Sequence, residues 1–466
     1  MAVYIIGGGL AGCEAAWQIA KYGIKVKLYE MKPRHFSEAH TAETLAELVC
    51  SNSLKASNLE NASGLLKEEM RVLGGLIIAC ADRSAVPAGG ALAVDRIKFS
   101  EAVTKKIERQ PEIEVIREEV CSIRELIARH EDCKCIIIAT GPLTTADLSN
   151  EITEIFGLKK LHFFDAAAPV IFEESIDHAR VFRAARYGKG EADYINCPMK
   201  REEYLAFYEA LIHAECAHVK DFDSMELYEG CMPVESMAKR GMDTLRFGPL
   251  KPVGLRNPET KEEYYAVVQL RQDNQEGTLY NMVGFQTRLK FGEQKRVFGM
   301  IPGLEKAEYA RYGVMHKNIY IQSPEMLDPT YRLHDDKNPI GIPIYFAGQI
   351  TGVEGYMEST SSGLVAGMNA AREQKQLSPV IFSCETQIGA LASYVSAYPG
   401  KDFQPMGANF GILRVDFESK YGRVRDKRLK KRYLSENALN ILIKDMKRIG
   451  ECSYGKSVSE CKMDQL

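Results

Sequence analysis

Short apolar blocks running into glycine turns organise this chain. Val3–Ile6 is an unbroken apolar run, the pattern of a strand buried on both faces. Gly7-Gly8-Gly9-Leu10-Ala11-Gly12 follows. Ala15, Ala16, Ile19 and Ala20 then recur at helical spacing, which predicts a helix over Cys13–Tyr22 that Gly23 stops. Ile24–Tyr29 is a second strand pattern, ending at Glu30. Two distant segments repeat the strand-into-glycine theme. Cys135–Gly141 reads Cys-Ile-Ile-Ile-Ala-Thr-Gly. Ile342–Gly352 reads Ile-Pro-Ile-Tyr-Phe-Ala-Gly-Gln-Ile-Thr-Gly, and a helical stretch, Gly363–Arg372, follows it.

The middle of the chain has another texture. Tyr204–Ala217 predicts a helix rich in Ala, Leu and aromatics. Tyr264–Arg271 and Leu279–Leu289 predict strands, joined by a turn at Asn274-Gln275-Glu276-Gly277. The predicted fold is therefore α/β. A discontinuous Rossmann-type domain is assembled from residues 1–185 and 315–434, with an inserted α+β domain at 186–314 and a C-terminal extension at 435–466, read as a polar tail.

Composition narrows the class. The chain has 466 residues, 45% of them apolar and 26% charged, which suits a water-soluble globular protein of two or three domains. No apolar run is long enough to cross a bilayer, and the N-terminus lacks the basic start of a signal peptide, so no membrane partner and a cytoplasmic location are expected. The 12 Cys are scattered without CxxC pairs, as expected of free thiols. The nine His form no ligand-spaced set, so no metal is expected.

A net charge of −3 gives no general support for nucleic-acid binding, so any such role needs a local surface. One candidate is the run holding Lys420, Arg423, Arg425, Lys427, Arg428, Lys430, Lys431 and Arg432 against the single acid Asp426. A solvated helix face is the plainer reading of the same run.

The opening glycines carry the first chemistry. Gly7, Gly9 and Gly12 fill G-x-G-x-x-G after a strand and at the start of a helix. The first allows the tight turn, the second the approach of a pyrophosphate, the third close helix–strand packing. Free N–H groups at the helix start then face the phosphates. Glu30 stands where a carboxylate accepts from a ribose hydroxyl. Gly7, Gly8, Gly9, Leu10, Ala11, Gly12 and Glu30 are thus candidate dinucleotide-binding residues. The later turns add Gly141, Gly348, Gln349 and Gly352. One discontinuous domain with a single such motif favours FAD; a nicotinamide would bind only transiently.

Eight extended segments, in one order, resemble the folate- and FAD-dependent tRNA (uracil-5-)-methyltransferases, a bacterial family related to flavoproteins that modify the tRNA wobble uridine. They are Leu48–Leu54, Gly64–Met70, Val86–Arg96, Tyr228–Met237, Leu245–Leu255, Val267–Thr287, Phe346–Tyr356 and Phe403–Gly411, reaching to about residue 434. Departures are small: Cys13 within the nucleotide helix, Met357 and Ser359–Ser362 after Tyr356, and the tail with Cys452 and Cys461.

The resemblance implies methylation of the five-position of a uridine, with 5,10-methylenetetrahydrofolate as carbon donor, reduced FAD as reductant and NAD(P)H as electron source. The family norm is the T-loop uridine of tRNA; ribosomal RNA is an open alternative. It further implies Cys231, in Glu229-Gly230-Cys231-Met232-Pro233, as the nucleophile that adds at the six-position. Lys239, Arg240 or Lys251 are candidates to lower its pKa. Cys50 is implied as the base for the five-position proton or as a shield for a flavin adduct. Softer candidates are Tyr356 stacking on a ring, Gly89 and Gly90 beside the flavin, Arg271 and Asn274 lining a pocket, and Lys251 or the basic run on RNA phosphates. The competing readings are a flavin oxidoreductase acting on a small molecule and a non-catalytic FAD-binding protein.

Overall fold

A computed structural model of the chain describes residues 2–157, 160–188, 191–217, 232–400 and 402–449. The apolar N-terminal run forms strand β1 (Ala2–Ile6), buried on both faces. It passes through the glycines into helix α1 (Leu10–Ala20) and then strand β2 (Lys25–Tyr29). The helix begins three residues before the predicted Cys13, because the glycine turn itself supplies its first turn.

Five parallel strands build the nucleotide-type sheet, in the order Ile344–Phe346, Cys133–Ile138, β1, β2, Ile113–Ile116. Residues more than 300 apart thus share one sheet, as the repeated strand-into-glycine pattern predicts. The long helix Tyr356–Gln374 crosses α1 closely. A Cβ added at Gly363 would lie 2.2 Å from the Ala11 carbonyl oxygen, and one at Gly367 would lie 2.6 Å from Ala15 Cα. Small residues on both helices are what permit this crossing.

A second sheet is wholly antiparallel: Phe182–Arg183, Tyr194–Met199, Ala266–Gln272, Leu279–Met282, Val170–Phe172, Tyr309–Arg311. Its apolar core, centred on Tyr204, Phe207, Phe285 and Phe298, is separate from that of the parallel sheet. A two-stranded ribbon, Lys160–Ala166 with Met315–Ile321, carries the chain into this region and back out. The sheet takes its first strand from Val170, earlier than residue 186.

Two elements differ from the sequence reading. The strand predicted over Leu279–Leu289 stops at Met282. Gly284 follows at φ +77 with its Cα packed on Pro249, which turns the chain out of the ladder. Residues 436–449 are not a loose tail either. Helix Lys427–Arg448 runs through them and buries Leu434, Ala438, Leu439, Leu442 and Met446. The exposed basic residues of its first turns hide that apolar stripe from a composition-based reading.

Candidate functional site

The three glycines of the opening turn do separate jobs. Gly7 stands at φ +107, with a Cβ there placed 2.5 Å from the Ala139 carbonyl oxygen. Gly12 packs on Gly7 so closely that a Cβ would lie 1.9 Å from the Gly7 oxygen. A Cβ on Gly9, by contrast, meets no protein atom within 4 Å. Gly9 is the N-cap of α1, and no side chain caps that helix. The first-turn N–H groups therefore face open space, where an anion is favoured.

Glu30 closes the other side. It is 6% exposed, and its carboxylate accepts from the N–H groups of Gly8 and Lys32, each at 3.0 Å. Those bonds fix both oxygens yet leave lone pairs for a hydroxyl.

A single cleft gathers most of the predicted binding residues. Its lining includes Gly7, Gly8, Gly9, Leu10, Ala11, Glu30, Gly141, Gly348, Gln349 and Tyr356. Sequence reading did not single out Met31, Lys32, Val49, Thr140, Thr144, Thr145 or Ser359, which line it too. All but Ser359, which lies in the first turn of helix Tyr356–Gln374, are in loops with no spacing signature. The open helix start, the turn without side chains and the fixed carboxylate fit an extended dinucleotide.

Gly12 lies beneath this cleft. Gly352 also lies outside the lining, its Cα against the Phe403 ring. Gly89 and Gly90 are also outside the lining: Gly89 N–H donates to Asp193 at 2.7 Å, next to strand Tyr194–Met199, and the Gly90 carbonyl accepts from Ser57 N–H at 3.0 Å. Asn274 is a turn former, its side-chain oxygen accepting from the N–H groups of Thr278 and Leu279. Cys13 is fully buried beneath the turn, its thiol donating to the Gly8 carbonyl at 3.3 Å; burial pushes its pKa up and keeps it neutral.

Cys50 stands beside the cleft in a half-buried loop. Its N–H donates to the Tyr356 hydroxyl at 2.8 Å, and its thiol points to the Ala166 carbonyl at 3.6 Å. Three arginines hold the same loop. Arg96 donates to the Leu48 carbonyl at 3.1 Å, Arg311 to the carbonyls of Val49 at 3.2 Å and Cys50 at 2.7 Å, and Arg271 to the side chains of Ser51 at 2.6 Å and Asn52 at 3.1 Å. Arg271 was a candidate for pocket lining; what it does is anchor the Cys50 loop. Arg96 and Arg311 carried no sequence signal of their own.

Cys231 lies outside the described residues. Its downstream flank is firmly held: Val234 N–H donates to the Gln286 carbonyl at 2.7 Å, and buried Glu235 accepts from the Thr287 hydroxyl and Arg288 N–H. Lys239 and Arg240 are exposed at the end of the short helix Val234–Lys239. Lys251 is half-buried, its carbonyl accepting from Arg186 at 2.9 Å.

The basic run is solvent-facing. Lys420 pairs with Glu385, Arg428 with Glu60 and Arg432 with Glu436, while Lys430 lies over the Phe417 ring. Arg423, Arg425, Lys427 and Lys431 have no ion pair among the described residues. No disulfide joins any two of the nine described cysteines. Among the described residues no three His, Cys, Asp or Glu gather as metal ligands, and no helix is long and apolar enough to cross a membrane.

A family model described as glucose inhibited division protein A matches residues 2–378. A protein of Acetivibrio thermocellus, named methylenetetrahydrofolate–tRNA-(uracil-5-)-methyltransferase TrmFO, is 61% identical over 440 residues, covering 94% of this chain and 97% of its own length. The chain belongs to the TrmFO branch of the glucose inhibited division protein A family. A Listeria monocytogenes protein of the same name is 54% identical, covering 96% of this chain and 99% of its own. Among solved structures, Aquifex aeolicus GidA in its form II crystal matches with a TM-score of 0.70 at 18% identity, over 100% of this chain and 75% of that one. Its form I crystal matches with a TM-score of 0.65 at 17% identity, over 96% and 78%. At these identities the likeness concerns the fold alone.

Proposed function

We propose that this chain methylates the five-position of a uridine in tRNA, the T-loop uridine by family norm, with 5,10-methylenetetrahydrofolate as carbon donor, FAD as cofactor and NAD(P)H as electron source. The near-full-length identity to proteins of that activity carries the reading. The placement of Cys50 against a dinucleotide cleft supports it.

Gly8, Gly9, Leu10 and Ala11 would hold the pyrophosphate of FAD over α1, and Glu30 its ribose. Bound FAD supplies the electron pair that takes the methylene carbon to a methyl. The protein's own task is to make a poor nucleophile react. Carbon five of uracil gains nucleophilicity when a thiolate adds at carbon six, the part given to Cys231. After the new carbon–carbon bond forms, the proton on carbon five must leave before the thiol can depart. Cys50 would take it; the hold of Tyr356 and three arginines on its loop beside the cleft supports this reading. The exposed cations Arg423, Arg425, Lys427 and Lys431 would meet RNA phosphates.

The test is turnover with methylenetetrahydrofolate and reduced nicotinamide on unmodified tRNA and, separately, ribosomal RNA. 5-Methyluridine is expected in tRNA; its absence from tRNA refutes the reading. With 5-fluorouridine tRNA the protein should form a covalent complex that Cys231→Ala abolishes. A complex that persists in that variant removes Cys231 from the nucleophile's role.

A further inference from the structure

The three arginines around Cys50 are not equivalent. Arg96, at the start of helix Arg96–Glu108, is neutralised by Asp273 at 3.0 Å. Arg271, on strand Ala266–Gln272, is spent on Ser51 and Asn52, with Tyr194 beside it. Arg311, on the edge strand Tyr309–Arg311, has no carboxylate partner among the described residues. Its two terminal nitrogens grip consecutive carbonyls, of Val49 and Cys50, and its Nε–H is buried with no partner among those residues. Burial and the like charge of Arg96 pull the guanidinium down to about 10. A buried cation is unfavourable unless an anion stands near it. The ionisable groups it faces are the Asp273 carboxylate, which pairs with Arg96, and then Tyr356 and Cys50; of the last two the thiol ionises more readily.

We propose that Arg311 is a positioning residue for Cys50: its fork fixes the Val49–Cys50 backbone, and its charge, held on the Cys50 carbonyl itself, favours the thiolate over the thiol. Among the described residues, Arg311 is the cation hydrogen-bonded to Cys50 itself. Tyr356, from the helix at its back, engages the Cys50 N–H. The Ala166 carbonyl accepts from the thiol and favours the neutral form. Arg96 is paired with Asp273, and Arg271, bound to neutral side chains, adds its charge from Ser51 and Asn52, one and two residues downstream. The role in turnover rests on the function proposed above; the effect on the thiol does not.

The experiment follows alkylation of Cys50 by iodoacetamide against pH in the FAD-loaded protein, read on the Cys50 peptide by mass spectrometry with Cys50→Ser as control. Arg311→Gln should raise the midpoint by about one pH unit. Arg311→Lys should leave the midpoint near that of the parent, because the charge stays. It should still lower turnover about tenfold, because one ammonium cannot hold two carbonyls in a fixed fork. An unchanged midpoint in Arg311→Gln overturns the electrostatic role. Parental turnover in Arg311→Lys overturns the positioning role, and this variant decides alone if the glutamine variant does not fold. A parent protein that makes no 5-methyluridine refutes the function, yet the alkylation shift is still measured.

Discussion

The backbone N–H of Cys50 donates to the hydroxyl of Tyr356 at 2.8 Å, across 306 residues of sequence. One partner is a thiol on a loop; the other lines the nucleotide cleft and starts the helix that packs on α1. The bond therefore ties the position of the thiol to the floor of the cofactor site. Tyr356→Phe keeps the ring and deletes the acceptor. The orphaned N–H costs about 1–3 kcal/mol of local order. Turnover should fall on the order of tenfold, while flavin content, read by visible absorbance, stays near that of the parent. Full activity in this variant would separate Tyr356 from Cys50.

Gly9 and Gly12 should fail in opposite ways. A methyl at Gly12 collides with the Gly7 oxygen, and backbone cannot step aside cheaply. Gly12→Ala should lose several kcal/mol of stability, about the upper range for overpacking, with a lower thermal midpoint. Gly9→Ala meets no protein atom and should fold with a near-parental midpoint. It should purify with little flavin, because its methyl occupies the space left for a ligand. Equal flavin content in parent and Gly9→Ala would place the pyrophosphate elsewhere.

The contrast shows what the sequence makes legible. The glycine turn, Glu30 and the distant strands at Cys135 and Ile342 are local patterns, each with its own reason in backbone geometry, and they meet in one cleft. Cys50 was legible through a block of neighbours. What holds Cys50 was not. Arg311 stands in Tyr-Ala-Arg-Tyr-Gly, which has no periodic or motif content, and it reaches carbonyls 261 residues or more upstream. Carbonyls carry no residue identity, so no pairwise pattern could announce the contact. Gly89 and Gly90 were legible only as a close backbone approach; the neighbours they bond are Asp193 and Ser57, which the pair itself does not announce.

Lys67 gives the fold a pH dependence. Its side chain is fully buried, with Nζ donating to the Leu54 carbonyl at 2.6 Å, and burial pulls its pKa down to about 8. Unfolded, the same lysine titrates near 10.5. Between those values the unfolded chain binds more proton, so stability rises with pH from about 8 to 10.5. This contribution is complete above the upper value and is lost as pH falls through the lower one. The span corresponds to at most about 3 kcal/mol. Lys67→Met should flatten the rise, seen as a smaller difference between urea midpoints at pH 8 and pH 10. An identical rise in the variant would assign it to other groups.

The basic surface should act on RNA and not on chemistry. Arg423, Arg425, Lys427 and Lys431 have no ion pair among the described residues, whereas Arg428 and Arg432 are paired with Glu60 and Glu436. Phosphate contacts release counterions, so each one lost should lower the salt slope of binding by roughly 0.7–0.9. Lys427→Ala with Lys431→Ala should therefore weaken tRNA affinity several-fold and flatten its dependence on salt by about one to two units. Neither side chain helps to hold Cys50 or lines the cleft, so kcat at saturating tRNA and flavin content should stay parental. A parental salt slope would reduce the run to a solvated helix face. A fall in kcat at unchanged KM would mean that helix Lys427–Arg448 acts through its packing on helix Ala62–Val72 instead.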